Sequence, residues 1–185
     1  MTLEHDSAPP FEVIDSSETA RDFNLALRRD RVRWPDGLEA DYRSVEGPSA
    51  VFVVPYGQNG TTVLVRQWRH TWRTTSWEVP AGTLEPGEEP LACAQRELRE
   101  EAGLIASEWK ALGATRGAAL LTGQQHLYLA RGLRRVQRTP EPYERDMILR
   151  EVPFLTALDA ALRGEIEHSA SISALSRAAR ALGII

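Results

Sequence analysis

A chain of 185 residues, 42% of them apolar, is long enough for one domain with its own core plus a small appendage. Its formal charge of −4 argues against a general nucleic-acid binder, whose phosphate-tracking surface is normally basic. The single cysteine, Cys93, excludes an internal disulfide and a cysteine-built zinc site, and no run approaches the ~20 apolar residues of a membrane span. The opening Met1-Thr2-Leu3-Glu4-His5-Asp6 has neither the basic region nor the apolar run of a signal peptide, so the expectation is a soluble, cytoplasmic protein with no membrane partner.

Residues 1–10 are polar, contain Pro9 and Pro10, and read as a loose tail. From Phe11 the pattern turns to strands over 11–14, 23–33 and 38–45, with Trp34-Pro35-Asp36-Gly37 as a turn between the last two. The expectation is a small antiparallel three-stranded sheet within residues 1–46. Such a sheet is marginal in water by itself, so it must pack on the rest of the chain or on a second copy, with Val32 and Trp34 as apolar contacts. It is either a decoration without chemistry or a dimer-forming or substrate-covering arm.

Residues 49–55 and 61–67 are nearly continuous apolar runs, as expected of central strands covered on both faces, and Gly57-Gln58-Asn59-Gly60 between them favours a hairpin turn. Next, Arg66-Gln67-Trp68-Arg69-His70-Thr71-Trp72-Arg73 alternates cations and aromatics without an acid. One reading is a solvated connection whose aromatics pack on the core. The other is a phosphate-and-base site, favoured because the segment leads directly into Trp77-Glu78-Val79-Pro80-Ala81-Gly82. Arg66, Trp68, Arg69 and Glu78 are the candidate substrate-binding residues, although Glu78 could equally only brace Arg69.

The chemistry concentrates in Gly82–Leu104. Pro86-Gly87 punctuates a loop, Pro90 suits a first helical turn, and Gly103 suits a helix end, so a helix is expected over 89–102. At roughly 100° per residue, Leu91, Ala94, Leu98 and Ala102 form an apolar stripe while Glu97, Glu100 and Glu101 gather on a neighbouring arc. Glu97 and Glu101 at i,i+4 repel, and their place near the helix C-terminus adds a dipole penalty. Something cationic should neutralise them, and oxygen-only ligands suit a hard ion, Mg²⁺ or Mn²⁺. After the helix, 109–115 and 125–130 read as strands around an apolar loop at 116–124. Residues 133–144 read as a polar loop, 147–154 as a last strand, and 156–164 and 169–182 as helices, the second with Ile172, Leu175, Ala179 and Leu182 at helical spacing.

Gly82, Glu88, Arg96-Glu97-Leu98, Glu100-Glu101 and Gly103-Leu104 match every fixed position of the box of the Nudix hydrolases, G-x5-E-x7-R-E-U-x-E-E-x-G-U with U aliphatic. The resemblance implies an α/β (α+β) fold, an α/β/α sandwich with a mixed sheet over residues 47–185. It also implies hydrolysis of a nucleoside diphosphate linked to another moiety. The flanking Val65-Arg66-Gln67-Trp68-Arg69, Trp77–Gly82, His126-Leu127-Tyr128-Leu129-Ala130 and Gly164-Glu165-Ile166 resemble the ADP-ribose pyrophosphatase branch. That branch turns ADP-ribose and water into AMP and ribose 5-phosphate, and its N-terminal strand domain swaps across a homodimer.

By position, the resemblance assigns metal to the Ala81 carbonyl and to Glu97 and Glu101, with Glu100 as a further ligand. Two or more Mg²⁺ or Mn²⁺ ions are implied. Gly82, Glu88, Arg96 and Gly103 are structural in the box, Arg96 pairing with Glu88. The general base is expected on the loop before the last strand, first Glu144 and then Glu141, set against the alternative of a solvated acidic loop. Other substrates of the same chemistry stand as alternatives, namely dinucleoside polyphosphates, dNTPs or GDP-sugars, as does an idle nucleotide-sensing domain. One departure bears on substrate choice: the branch's Ser-Pro-Gly-like segment with its acid is replaced by Arg116–Gln124, which has neither proline nor acid. His70 and His126 could touch phosphate but read first as ordinary packing residues, and Cys93 reads as inert filler on the box helix.

Overall fold

The computed structural model describes residues 8–144 and 146–185, the Tyr143 side chain excepted; the first seven positions of the expected tail lie outside the described residues. Two compact units emerge. One comprises residues up to Pro48 together with Ala118–Thr122, and the other Ser49–Gly117 with Gly123–Ile185.

The first unit is an antiparallel sheet of β1 (Glu12–Asp22), β2 (Leu25–Arg33) and β3 (Glu39–Glu46) in that order. Val13, Val32 and Ala40 pair across it, Val32 is buried, and Phe11, Trp34 and Tyr42 form an aromatic group with centroids 5.2 to 6.4 Å apart. Strand β1 runs eight residues beyond the expected 11–14. Its second half, with Asp15, Ser16, Ser17, Glu18 and Thr19, has no apolar alternation to read. It is held by the ladder to β2 and by polar pairs such as Ser16 Oγ to Asp30 at 2.6 Å, and two register shifts break the period further. The stretch expected to be an apolar loop at 116–124 joins this unit in part. Val45 N–H donates to Leu120 O (2.8 Å) and Thr122 N–H to Val45 O (3.1 Å).

The second unit is an α+β sandwich. Its strands are β4 (Ala50–Pro55), β5 (Thr61–Arg69), β6 (Thr74–Glu78), β7 (Ala81–Thr83), β8 (Leu104–Arg116), β9 (Gln124–Arg135) and β10 (Ile148–Pro153). Its helices are α1 (Pro90–Ala102), α2 (Phe154–Leu162) and α3 (Ser169–Ala181). A mixed sheet runs β7-β4-β9-β8, with β4 and β9 parallel, and an antiparallel sheet runs β10-β5-β6. Strand β4 shows why its sequence is apolar throughout: successive side chains face opposite ways. Phe52 and Val54 enter the core under α2 and α3, whereas Val51 and Val53 enter the core under α1.

Several strand expectations are corrected. The Asn59-Gly60 turn forms, with Gly57 N–H donating to Thr61 O at 2.8 Å and an isolated Tyr56–Thr62 bridge beside it, but β4 and β5 form no ladder with each other among the described residues and enter different sheets. Both are buried on two faces, so the apolar pattern is the same whichever neighbour each takes. Strands β8 and β9 are longer than 109–115 and 125–130, and Leu133–Arg135, expected in a loop, still pair with Leu104–Ala106. Here the ladder, not side-chain burial, keeps the chain extended. Residues Pro142–Glu144, also in that expected loop, form a 3₁₀ turn.

Helix α3 is tied to the β6–β7 link by the fully buried Ser171, whose Oγ accepts the Val79 N–H at 3.1 Å. Ser171→Ala leaves that N–H buried without its partner, and the expected loss is about 1–3 kcal/mol of unfolding free energy. Urea denaturation with an unchanged m-value checks it.

Candidate metal and diphosphate site

Helix α1 begins at Pro90 and ends at Gly103, whose φ of 62° lets its N–H return to Arg99 O and Leu98 O. Leu98 and Ala102 are buried beneath it, which turns the acids toward β7. Arg96 organises what precedes the helix. Its Nε and Nη2 donate to the two oxygens of Glu88 at 3.0 and 2.9 Å, and Nη2 also reaches Thr83 O at 3.2 Å. Glu88 in turn accepts the Glu85 N–H at 3.0 Å, so the loop closes on itself. The guanidinium beside it holds the Glu88 carboxyl down to about 2. The expected Arg96–Glu88 pair is present.

The same guanidinium compensates the helix acids: Nη1 donates to Glu97 Oε1 at 2.6 Å and to Glu100 Oε2 at 3.2 Å. One cation therefore serves three carboxylates. Glu101 has a different partner, the Ala81 N–H, at 2.8 Å from Oε2. Gly82 is what allows Glu97 to lie against β7, because a Cβ at that position would stand 1.8 Å from Glu97 Oε1.

Glu97, Glu101 and Glu144 come together, each offering a carboxylate oxygen within 4.8 Å of the others. Each spends one oxygen elsewhere: Glu97 on Arg96, Glu101 on Ala81, and Glu144 on the Glu141 N–H at 2.9 Å. The other oxygen of each has no hydrogen-bond partner among the described residues. Burial pushes the Glu97 carboxyl up to about 7 and that of Glu101 well above the usual range, with the neighbouring acids adding to both. Two desolvated acids and a half-buried third, each with a free oxygen, fit a hard divalent cation, which would replace the missing positive charge.

Of the other expected residues, Glu100 is committed to Arg96 and stays outside this group of three, and Glu141 is exposed and meets Glu144 through its backbone N–H and carbonyl. Arg69 and Glu78 form a two-point ion pair, Nε donating to Oε1 at 2.7 Å and Nη2 to Oε2, with Glu78 fully buried. Arg66 lies over the Trp77 ring at 5.6 Å, and Arg150, not anticipated, over the same ring at 4.8 Å. Trp68 is 56% exposed. His70 is exposed, and His126 sits in β9 opposite Val51 and Ala114. His168, which contacts Glu78 and Ser171, carried no signal in the sequence because nothing local marks a residue that meets partners on distant strands.

A family model for the NUDIX domain matches residues 47–174. The chain belongs to the Nudix family. It is 42% identical over 174 residues, 92% of this chain and 82% of the relative, to an ADP-ribose pyrophosphatase of Mycobacterium tuberculosis (strain ATCC 25618 / H37Rv). It is 36% identical over 111 residues to a methanol dehydrogenase activator of Bacillus methanolicus, covering 59% of this chain and 60% of that one. A crystal structure of an ADP compounds hydrolase superposes with a TM-score of 0.82 at 19% identity, covering 97% of each chain, which shows the Nudix fold.

Two outcomes follow from the geometry. Gly82→Ala displaces the Glu97 carboxylate, and the expected loss of Mg²⁺ affinity is about 10–100-fold by calorimetric titration. Cys93 is fully buried, and desolvation pushes its thiol up to about 12. At pH 8 the thiol is therefore protonated, and iodoacetamide labels it only after unfolding, as mass spectrometry of native and urea-treated protein would read out.

Proposed function

We propose that this Nudix protein is a divalent-metal-dependent diphosphatase that hydrolyses ADP-ribose, or a related nucleoside diphosphate sugar, to AMP or another NMP and a sugar phosphate. The observation that carries the reading is the Glu97–Glu101–Glu144 group, its first two members buried, on a complete Nudix box. The relationship to the Mycobacterium tuberculosis ADP-ribose pyrophosphatase, over most of both chains, supports the substrate.

Glu97 and Glu101 would hold the cation, with the Ala81 carbonyl and Glu100 as further donors, and two or more Mg²⁺ or Mn²⁺ ions would be accommodated. A bound divalent ion supplies neutralisation of the diphosphate and a more acidic water. Glu144, on the 3₁₀ turn, takes the proton of the attacking water, a task that a carboxylate beside the cluster can perform without being a fixed part of α1. Arg96 keeps loop and helix together and stays off the substrate. Arg69, held by Glu78, would offer its remaining guanidinium edge to a diphosphate. Arg66 and Trp68 lie on β5 with Arg69 and would complete the nucleotide contacts.

The N-terminal strands 1–46 are proposed as the arm of a homodimer, with 47–185 as the catalytic domain. A three-stranded sheet with Val13, Leu25, Leu27 and Tyr42 each more than 40% exposed needs a cover to be stable. No described helix is long and apolar enough to cross a membrane. A lone buried thiol is compatible with the reducing cytoplasm, where we place the protein. The altered segment 116–124 favours keeping a second substrate reading, another nucleoside diphosphate compound with the same cleavage chemistry.

With purified protein, Mg²⁺ and ADP-ribose, AMP forms well above an EDTA control; no AMP above that control rejects the substrate, and a nucleotide panel then decides among the alternatives. Glu101→Gln lowers turnover by at least about a hundredfold at little cost in fold. Glu144→Gln lowers kcat by about 10²–10⁴ while Mg²⁺ binding by Glu97 and Glu101 persists, and Glu141→Gln changes it by less than about threefold. The reverse order in the last pair moves the base to Glu141.

A further inference from the structure

A second buried polar assembly is centred on Glu78. This carboxylate has no exposure, is held by the Arg69 fork, and has His168 Nδ1 3.3 Å from its Oε2. The same nitrogen lies 2.9 Å from Ser171 Oγ, which already accepts the Val79 N–H. The hydrogen bond of Nδ1 is to Ser171 Oγ, and because the Arg69-paired Glu78 carboxylate lies 3.3 Å away, a proton on Nδ1 avoids setting a lone pair against the anion, which leaves the lone pair on Nε2. The charged groups that face this ring are Glu78 on β6 and Arg69 on β5; α3 contributes only the Ser171 hydroxyl. Burial lowers the tendency of His168 to take a second proton, which agrees with a neutral ring.

The faces of the ring are used as well. Phe52, buried in the core, stands 5.2 Å from it, and Trp72 stands 5.9 Å from it with 46% of its surface exposed. His168 therefore joins a core aromatic, a solvent-facing indole and a buried ion pair. Arg69 spends Nε and Nη2 on Glu78.

We infer that His168 is a positioning residue for substrate recognition: its Nδ1–H steadies the Glu78 carboxylate that holds the Arg69 guanidinium, and its ring sets the exposed Trp72 indole as a base platform. This rests on the proposed nucleoside diphosphate substrate, whose phosphates the guanidinium would meet and whose base the indole would stack on. Trp72, braced by His168, is the platform in preference to Trp68, which has no ring contact among the described residues.

The two functions of the ring can be separated. His168→Asn keeps a donor near the Nδ1 position and loses the ring, His168→Phe keeps the ring and loses the donor, and His168→Ala loses both. With ADP-ribose and Mg²⁺, the expected result is a KM raised about 3–10-fold in each of the first two and further in His168→Ala, with kcat changed by less than about twofold. An unchanged KM in His168→Ala, or a fall in kcat at constant KM, overturns the inference. A readout independent of turnover is the ¹⁵N-edited histidine spectrum of the wild type at pH 7, with His168→Phe giving the assignment. A neutral Nδ1–H tautomer is expected, and an Nε2–H tautomer or an imidazolium overturns it. Absence of ADP-ribose hydrolysis by the wild type would sink the proposed substrate, and the tautomer would still decide on His168.

Discussion

Arg96 is the interaction on which the site depends. A single guanidinium binds Glu88 in the loop, Thr83 O at the end of β7, and Glu97 and Glu100 on the helix. Its planar fork makes this possible, since a lysine ammonium would offer a point charge without fixed directions. Because loop and helix acids share that cation, the loop conformation and the direction of Glu97 are set together. Glu101 is left outside the arrangement, with the Ala81 N–H as its partner, and burial raises its carboxyl well above the usual range.

The fold delivers this site through close approach. Strand β4, covered on both faces, carries β7 on one side and β9 on the other, and β7 presents Ala81 and Gly82 to the helix. The missing side chain at Gly82 puts a carboxylate directly against the strand, and Ala81 donates to the next carboxylate along the helix. Acids are thereby desolvated by backbone and aliphatic groups, and their need for a counter-ion is created by the same packing that stabilises the helix. Glu144 completes the group from a short 3₁₀ turn, an element with few constraints of its own.

Much of the site was legible in the sequence because it is compact in sequence. The acids of α1, Arg96, Glu88 and Gly82 fall within one loop and one helix, where periodicity and punctuation specify mutual geometry. Glu144 could not be separated from Glu141 by spacing alone, since both lie in a proline-containing loop; only the turn at Pro142–Glu144 brings one inward. Glu78 and His168 are 90 positions apart, and no local pattern joins them. In the fold, the helices and apolar strands were readable, whereas the polar half of β1, the arginine-rich end of β9 and the parting of β4 from β5 were not. Ladder hydrogen bonds and the choice of neighbouring strand leave no trace in side-chain alternation.

The segment Ala118–Thr122 lies far along the chain from the strands it accompanies. Its Leu120 carbonyl and Thr122 amide are both engaged by Val45, and the Thr122 hydroxyl accepts from Gly47. The amino-terminal sheet is consequently not excisable at one point. A chain shortened to begin at Ser49 would take away the protein partners of those groups, so the two units are interleaved in sequence.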